Sequence, residues 1–179
     1  TPRRRRARSR PERARRRRSP GAARSAMRHA FIEVLIGLQV FVVAFLGLHD
    51  YVPLPPLNDV AAVQAADSRS RLAAVTLLSA LPFALGLLAT IDYAGRGLPG
   101  WLMWWLWVSF GAVFLGGIRA WWVPYFLTEE PVRVARYRAM FGATHAFLPE
   151  RNGIRPNTLH IVLHLSLVAV LVVLGMLTF

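Results

Sequence analysis

The chain has 179 residues, 55% of them hydrophobic, with a mean hydropathy of +0.39 and a net charge of +13. Such a composition excludes an ordinary soluble domain. The absence of cysteine excludes thiol–disulfide chemistry, Cys-ligated zinc and iron–sulfur clusters.

The charge is local. Residues 1–26 hold 12 Arg and one Glu, so residues 27–179 carry only +2. A basic face for nucleic acid is therefore not expected on the folded part. Every cation apart from the histidines is Arg, with no Lys. Together with the abundant Ala, Leu and Val, this points to GC-rich coding and a bacterial source. The apolar residues come in long blocks rather than short alternations, which predicts a polytopic helical membrane protein.

The segment 1–26 has almost no large apolar side chains and repels itself, so it is expected to be disordered. Its functional readings are a polybasic anchor for anionic lipid and a nucleic-acid arm. The bland reading is that the tail is not native: the chain starts at Thr1, and Met27 stands just before the first apolar block. That bland reading is preferred. A signal peptide fits badly, because the following segment is long enough to span and lacks a small-residue cleavage site.

Residues 30–48 are the first predicted span, about 28 Å long as helix and interrupted by Glu33 and Gln39. Glu33, Gly37, Ala44 and Gly47 fall near one face, which would admit a second helix closely. Glu33 is read as an interfacial acid bonded to a nearby Arg rather than as an ion ligand. His49, Asp50 and Tyr51 end the span. The prolines of VPLPPL then prevent regular structure, and Asn58 or Asp59 caps a short helix through Ala66.

Residues 72–91 are the second span, twenty uncharged residues with Pro82 at the centre. Thr76, Ser79 and Gly86 give it a small, weakly polar face, read as packing. Asp92 to Gly100 is a turn. Its GRGLPG string is no phosphate loop, because no strand precedes it.

Residues 101–122 are the third span. Trp101, Trp104, Trp105 and Trp107 cluster at its start, and Trp121, Trp122 and Tyr125 at its end. Twenty-one residue steps of helix cover about 31 Å, the separation of the two aromatic belts of a bilayer. Ser109, Ala112 and Gly116 form a small-residue face that Arg119 continues, so Arg119 is expected to point inward.

Thr128, Glu129, Glu130 and Pro131 read as a helix start, with Thr128 as cap and the helix running to Phe141 before Gly142. Glu129 and Arg133 are spaced to pair, and Val132, Ala135 and Ala139 share a side that would lie on the membrane surface. The connector 144–157 turns at Asn152-Gly153. Asn157 or Thr158 then caps the last span, 159–179, on which His160 and His164 lie one turn apart.

The fold class is thus an all-α membrane protein, four transmembrane helices in an antiparallel bundle with a short interfacial helix between spans three and four. Both termini then share one side. Loops 50–71 and 119–158 share the other and carry eight of the ten Arg outside the tail. The positive-inside rule puts those loops in the cytoplasm for a chain beginning at Met27, and outside it if the tail belongs to the protein. The first orientation, in the inner membrane, is preferred.

Antiparallel connectivity brings His49, Asp50, Arg119, His160 and His164 to one end, with His145, Glu129 and Glu130 above them. Glu33, Asp92, Arg96 and His29 form a smaller polar set at the other end. Three functions compete for the larger set. A structural or accessory subunit is preferred, associated with the bilayer and with a membrane partner or a second copy of itself. The second reading is a site for an anionic small molecule or lipid headgroup, anchored by Arg119 and switched by a histidine. The third is a metal or haem site on His49, His160 and His164; two His at i, i+4 without further fixed ligands make that signal weak. No cofactor is expected, with zinc or haem as the alternatives. No catalytic constellation can be assembled, so an enzyme is not expected.

Overall fold

The computed structural model describes residues 20–179. The expected tail falls outside this range as far as residue 19. Residues 20–26 are the first turns of a helix rather than part of a disordered arm. Pro20 suits a first helical turn, where its missing N–H costs nothing, and the Ala-rich stretch behind it favours continuation of the helix.

Seven α-helices follow in order among the described residues. They are α1 Pro20–Leu48, α2 Val60–Ala66, α3 Arg69–Tyr93, α4 Gly100–Gly117, α5 Val123–Phe126, α6 Pro131–Phe141 and α7 Thr158–Thr178. A π-helical turn, Ile118–Trp122, joins α4 to α5. Among the described residues, four segments are long and apolar enough to cross a membrane: Gly21–Leu48, Arg69–Tyr93, Gly100–Phe126 and Thr158–Thr178. A helix covers each of the four expected spans; the first three run beyond the expected bounds, and the last is shifted by one residue, to Thr158–Thr178. Among the described residues, β-structure is confined to one isolated bridge, Arg151 to Ile154.

The long helices touch in a closed ring. α1 packs on α3 and α7, and α4 packs on the same two. Leu35, Val42 and Phe45 meet Phe83, then Leu102, Leu106 and Phe110, then Leu163, Leu167, Val170 and Leu174 in one core. The helix faces differ from expectation. On α1 the packed face is Ile32, Leu35, Gln39, Val42 and Phe45, while Glu33, Gly37 and Ala44 are exposed. On α4 it is Leu102, Leu106 and Phe110, while Ala112, Gly116 and Arg119 face outward. Bulky side chains fill the ring because dispersion contact grows with the atoms brought together, and small residues on these faces offer few.

Two devices tie α3 into the ring. Thr90 donates to Gly86 O (2.7 Å) and accepts from Gln39 Nε2 (3.1 Å), both side chains being fully buried. The hydroxyl proton is used within α3, so the Gln39 amide must present its nitrogen. Its Oε1 accepts no bond. On the other side, Trp105 Nε1–H donates to Pro82 O (3.0 Å), and a Cβ on Gly86 would lie 3.0 Å from Leu106. Pro82 and Gly86 thus both meet the Trp105 side chain.

Candidate functional site

The end of the molecule where α1 stops and α7 starts is closed by a cap built from residues 118–157 and the loop after α1. Its construction begins at Pro124. In an α-helix the carbonyl of Ala120 would accept from residue 124, but proline has no N–H and its ring crowds that carbonyl. The chain responds with the π-turn, in which Val123 N–H reaches back to Ile118 O; because Pro124 has no N–H, the carbonyls of Arg119 and Ala120 each lose the donor that residue 124 would have supplied.

Helix α6 supplies the missing donors. Arg133 Nη1 donates to Arg119 O (3.0 Å) and Ala120 O (2.8 Å), and Tyr137 OH donates to Ala120 O (3.2 Å). Burial pushes the Tyr137 phenol above its usual value, with Arg133 and Arg136 opposing, so it keeps its proton and remains a donor. Arg133 and Tyr137 are one turn apart and meet the same stretch of backbone.

That docking corrects the expected start of α6. Glu130, not Thr128, is the residue before its first turn, and it makes no side-chain cap. Arg133 pairs with Glu130 (2.9 Å) rather than Glu129. Val134, Tyr137 and Phe141 face inward, whereas Val132 is 86% exposed and Ala135 and Ala139 are also outside.

The connector locks the same region from behind. Asn152 and Gly153 have positive φ (48° and 73°) in a tight turn closed by reciprocal Arg151–Ile154 bonds of 2.9 and 2.8 Å. Gly153 is required twice, because a Cβ there would sit 2.7 Å from Val134 Cγ1. Asn152 Nδ2 donates to the carbonyls of Pro124 and Tyr125, while Tyr125 OH donates to Pro149 O. Asp59 caps α2 by accepting from Ala62 N–H, and Asn157 caps α7 by accepting from His160 N–H.

The expected site residues divide into three places. His49 and Asp50 are a pair. Nδ1 of His49 lies 2.8 Å from Phe45 O, a pure acceptor, so Nδ1 carries a proton. Nε2 then faces Asp50 Oδ1 at 3.1 Å, a contact that requires one proton held on either partner. Burial raises the Asp50 carboxyl above its ordinary value, while His49 draws it down and Asp67 adds to the rise.

His160 stands beside this pair, its ring 6.0 Å from that of His49 and enclosed by Phe45, Trp121 and Phe141. Oδ1 of Asn157 accepts from both His160 N and Nδ1 (2.6 Å to the latter), leaving Nε2 as the ring's acceptor. His164 is elsewhere. Its Nδ1 accepts from Trp122 Nε1–H (3.1 Å), and its Nε2 edge lies against Gly117. The two histidines thus hold opposite tautomers and serve different neighbours.

Arg119 is not with them. It is 65% exposed and bound to Glu130 at 3.2 Å, so the expected inward orientation is overturned. Its face of α4 is the outer one, and Glu130 at the start of α6 holds it there. Nor do Trp121 and Trp122 form an outer belt. Trp121 is buried against Tyr137, Phe141 and His160, while Trp122 serves His164. Trp101, Trp104 and Trp105 do stay exposed at the other end.

Several other cap charges are also engaged. Asp67 binds Arg71 and Arg136, and Arg138 binds Glu150. His145 bridges the loops, with its N–H on Pro56 O and its carbonyl accepting from Thr158 N–H. At the far end Asp92 pairs with Arg96 on the surface, away from Glu33, which makes no ion pair among the described residues. No group of three or more His, Asp or Glu able to hold a metal ion occurs among the described residues.

Sequence reasoning missed the carbonyl-binding roles of Arg133 and Tyr137. The available signal was Pro124, four residues after Ala120, which announces an orphaned carbonyl. Comparison with known protein families, curated proteins and solved structures finds no match to this chain.

The Asp50 geometry sets a pH expectation. A carboxyl whose folded-state pKa is raised adds stability below its unfolded value, and that contribution is lost as pH rises through the folded value. The unfolded value is about 3.8. Asp50→Asn should therefore flatten the pH dependence of the thermal midpoint above that pH in detergent. An unchanged slope would mean that another group carries it.

Proposed function

We propose that this chain is a four-span inner-membrane protein, an antiparallel helical bundle, acting as a structural or accessory subunit rather than as an enzyme. The carrying observation is how many charges of its polar end are paired with one another. Glu130 holds Arg119 and Arg133, Asp67 holds Arg71 and Arg136, and Glu150 holds Arg138. His49, His160 and His164 are each fixed by Asp50, Asn157 and Trp122. Groups spent on one another make a stiff platform, whereas a binding site keeps donors and acceptors turned toward a ligand. The Arg-only basic composition supports a bacterial source.

The platform also shows an apolar outer surface, with Val132 86% and Leu127 74% exposed beside a groove along α6 of about 710 Å³. We place a protein partner or a second copy of the chain there. A photo-crosslinking residue at Val132, activated in intact membranes, is expected to trap one discrete protein species. A stoichiometric metal, haem or small-molecule adduct in native mass spectra, lost in His160→Ala or Arg119→Ala, would overturn the reading.

A further inference from the structure

At the opposite end, between the start of α4 and the end of α7, lies a cavity of about 650 Å³. That is the size of a small-molecule pocket, commonly ~300–1,000 Å³. Its walls are apolar, chiefly Leu98, Met103, Trp104, Trp107 and Leu177. The Trp107 indole N–H is already spent on Thr178 Oγ1 (3.2 Å), and that hydroxyl in turn donates to Leu174 O (2.7 Å). These polar atoms therefore tie α4 to α7 and leave ring surface facing the cavity.

One charge stands at the cavity's edge. Arg28, on α1, lines the cavity and makes no ion pair among the described residues. Its neighbour at this level, Arg96, is already neutralised by Asp92. Gly100, the first residue of α4, also lines the cavity, and no side chain caps that helix. The positive end of that helix is offset by the C-terminal end of α7, which lines the same cavity through Leu177, Thr178 and Phe179, so the positive charge there is that of Arg28.

We propose that this cavity binds an anionic glycerophospholipid from the bilayer, with the phosphate on Arg28 and an acyl chain between Trp104 and Leu177. Charge and apolarity are arranged as in such a lipid: a cation at one edge and a hydrocarbon-compatible slot beyond it. The exposed Trp101 and Trp104 mark this level as the membrane interface, where the headgroup lies. A guanidinium gives phosphate a charge-assisted, two-pronged hydrogen bond that a zwitterionic headgroup partly satisfies with its own cation.

The test uses the full chain in nanodiscs of phosphatidylglycerol and phosphatidylcholine in equal amounts, released into a native mass spectrometer. One retained phosphatidylglycerol is expected, preferred about tenfold over phosphatidylcholine. The Arg-rich segment 1–26 is common to all variants, so the readout is the change between them: Arg28→Gln should lower the ratio severalfold, and Arg96→Gln, an equal change of charge at the same end, should leave it intact. Met103→Trp, which fills the slot and spares Arg28, should abolish retention of either lipid. Equal retention of both lipids by the unaltered chain overturns the proposal, as does an equal effect of Arg96→Gln. Undiminished retention by Met103→Trp overturns it as well. None of these results bears on the platform at the other end.

Discussion

Arg133→Ala is expected to destabilise the protein by about 2–3 kcal/mol, the largest effect of any single charge removal in the cap. Arg133 is the donor that Arg119 O receives and shares Ala120 O with Tyr137. Removing it leaves one carbonyl without a partner and the other with a single, longer bond. An ion-pair account would predict much less, because exposed pairs contribute about 0–1 kcal/mol and Glu130 would keep Arg119.

The two accounts separate in a double-mutant cycle. Pro124→Ala restores an N–H four residues after Ala120, so that carbonyl regains a donor inside its own helix. Arg133→Ala should then cost at least about 1 kcal/mol less in the Pro124→Ala background than alone. Thermal unfolding in one detergent, across the four proteins, measures the difference. Equal costs in both backgrounds would show that Arg133 works through Glu130 and that the π-turn carbonyls do not depend on it. Tyr137→Phe adds a second point on the same axis, with an expected loss of about 1 kcal/mol.

The parts legible in the sequence are those governed by local rules. Four apolar blocks give four long helices, since length and hydropathy decide that without reference to packing. Asp59 and Asn157 cap their helices, and Asn152-Gly153 turns, because one side chain or one φ value settles each case. Helix faces were not legible. When nearly every residue of a span is apolar, no periodic polar stripe marks the outside, and small residues became a misleading guide on α1 and α4.

The candidate site shows the same division. Antiparallel connectivity correctly brought His49 and Asp50 to the level of His160, whose ring lies 6.0 Å from that of His49. It did not reveal that Asn157 and Trp122 would give His160 and His164 opposite tautomers. Those partners are three residues before the first histidine and 42 before the second. The nearer one is a matter of local geometry. The farther one depends on α4 meeting α7, which only the packed ring decides.

That meeting rests on Gly117, and the second large effect is expected there. A Cβ on residue 117 would lie 2.8 Å from His164 Nε2 and 3.0 Å from its Cδ2. The imidazole has little room to yield: it is buried, and its other nitrogen accepts the Trp122 indole N–H at 3.1 Å. Gly117→Ala must therefore spread α4 from α7 or break that hydrogen bond, at a cost of about 1–3 kcal/mol. Gly116 is the adjacent control, with nothing within 4 Å of an added Cβ. Gly116→Ala should be neutral or stabilising by up to about 1 kcal/mol, because alanine loses less backbone entropy in a helix. Opposite signs at neighbouring glycines cannot come from helix propensity, so they isolate the close approach. His164→Ala should then remove most of the Gly117→Ala penalty, since the atoms that clash are gone. If both alanine variants melt together, α4 and α7 are not held this close, and the Trp122–His164 bond loses its role in joining cap to spans.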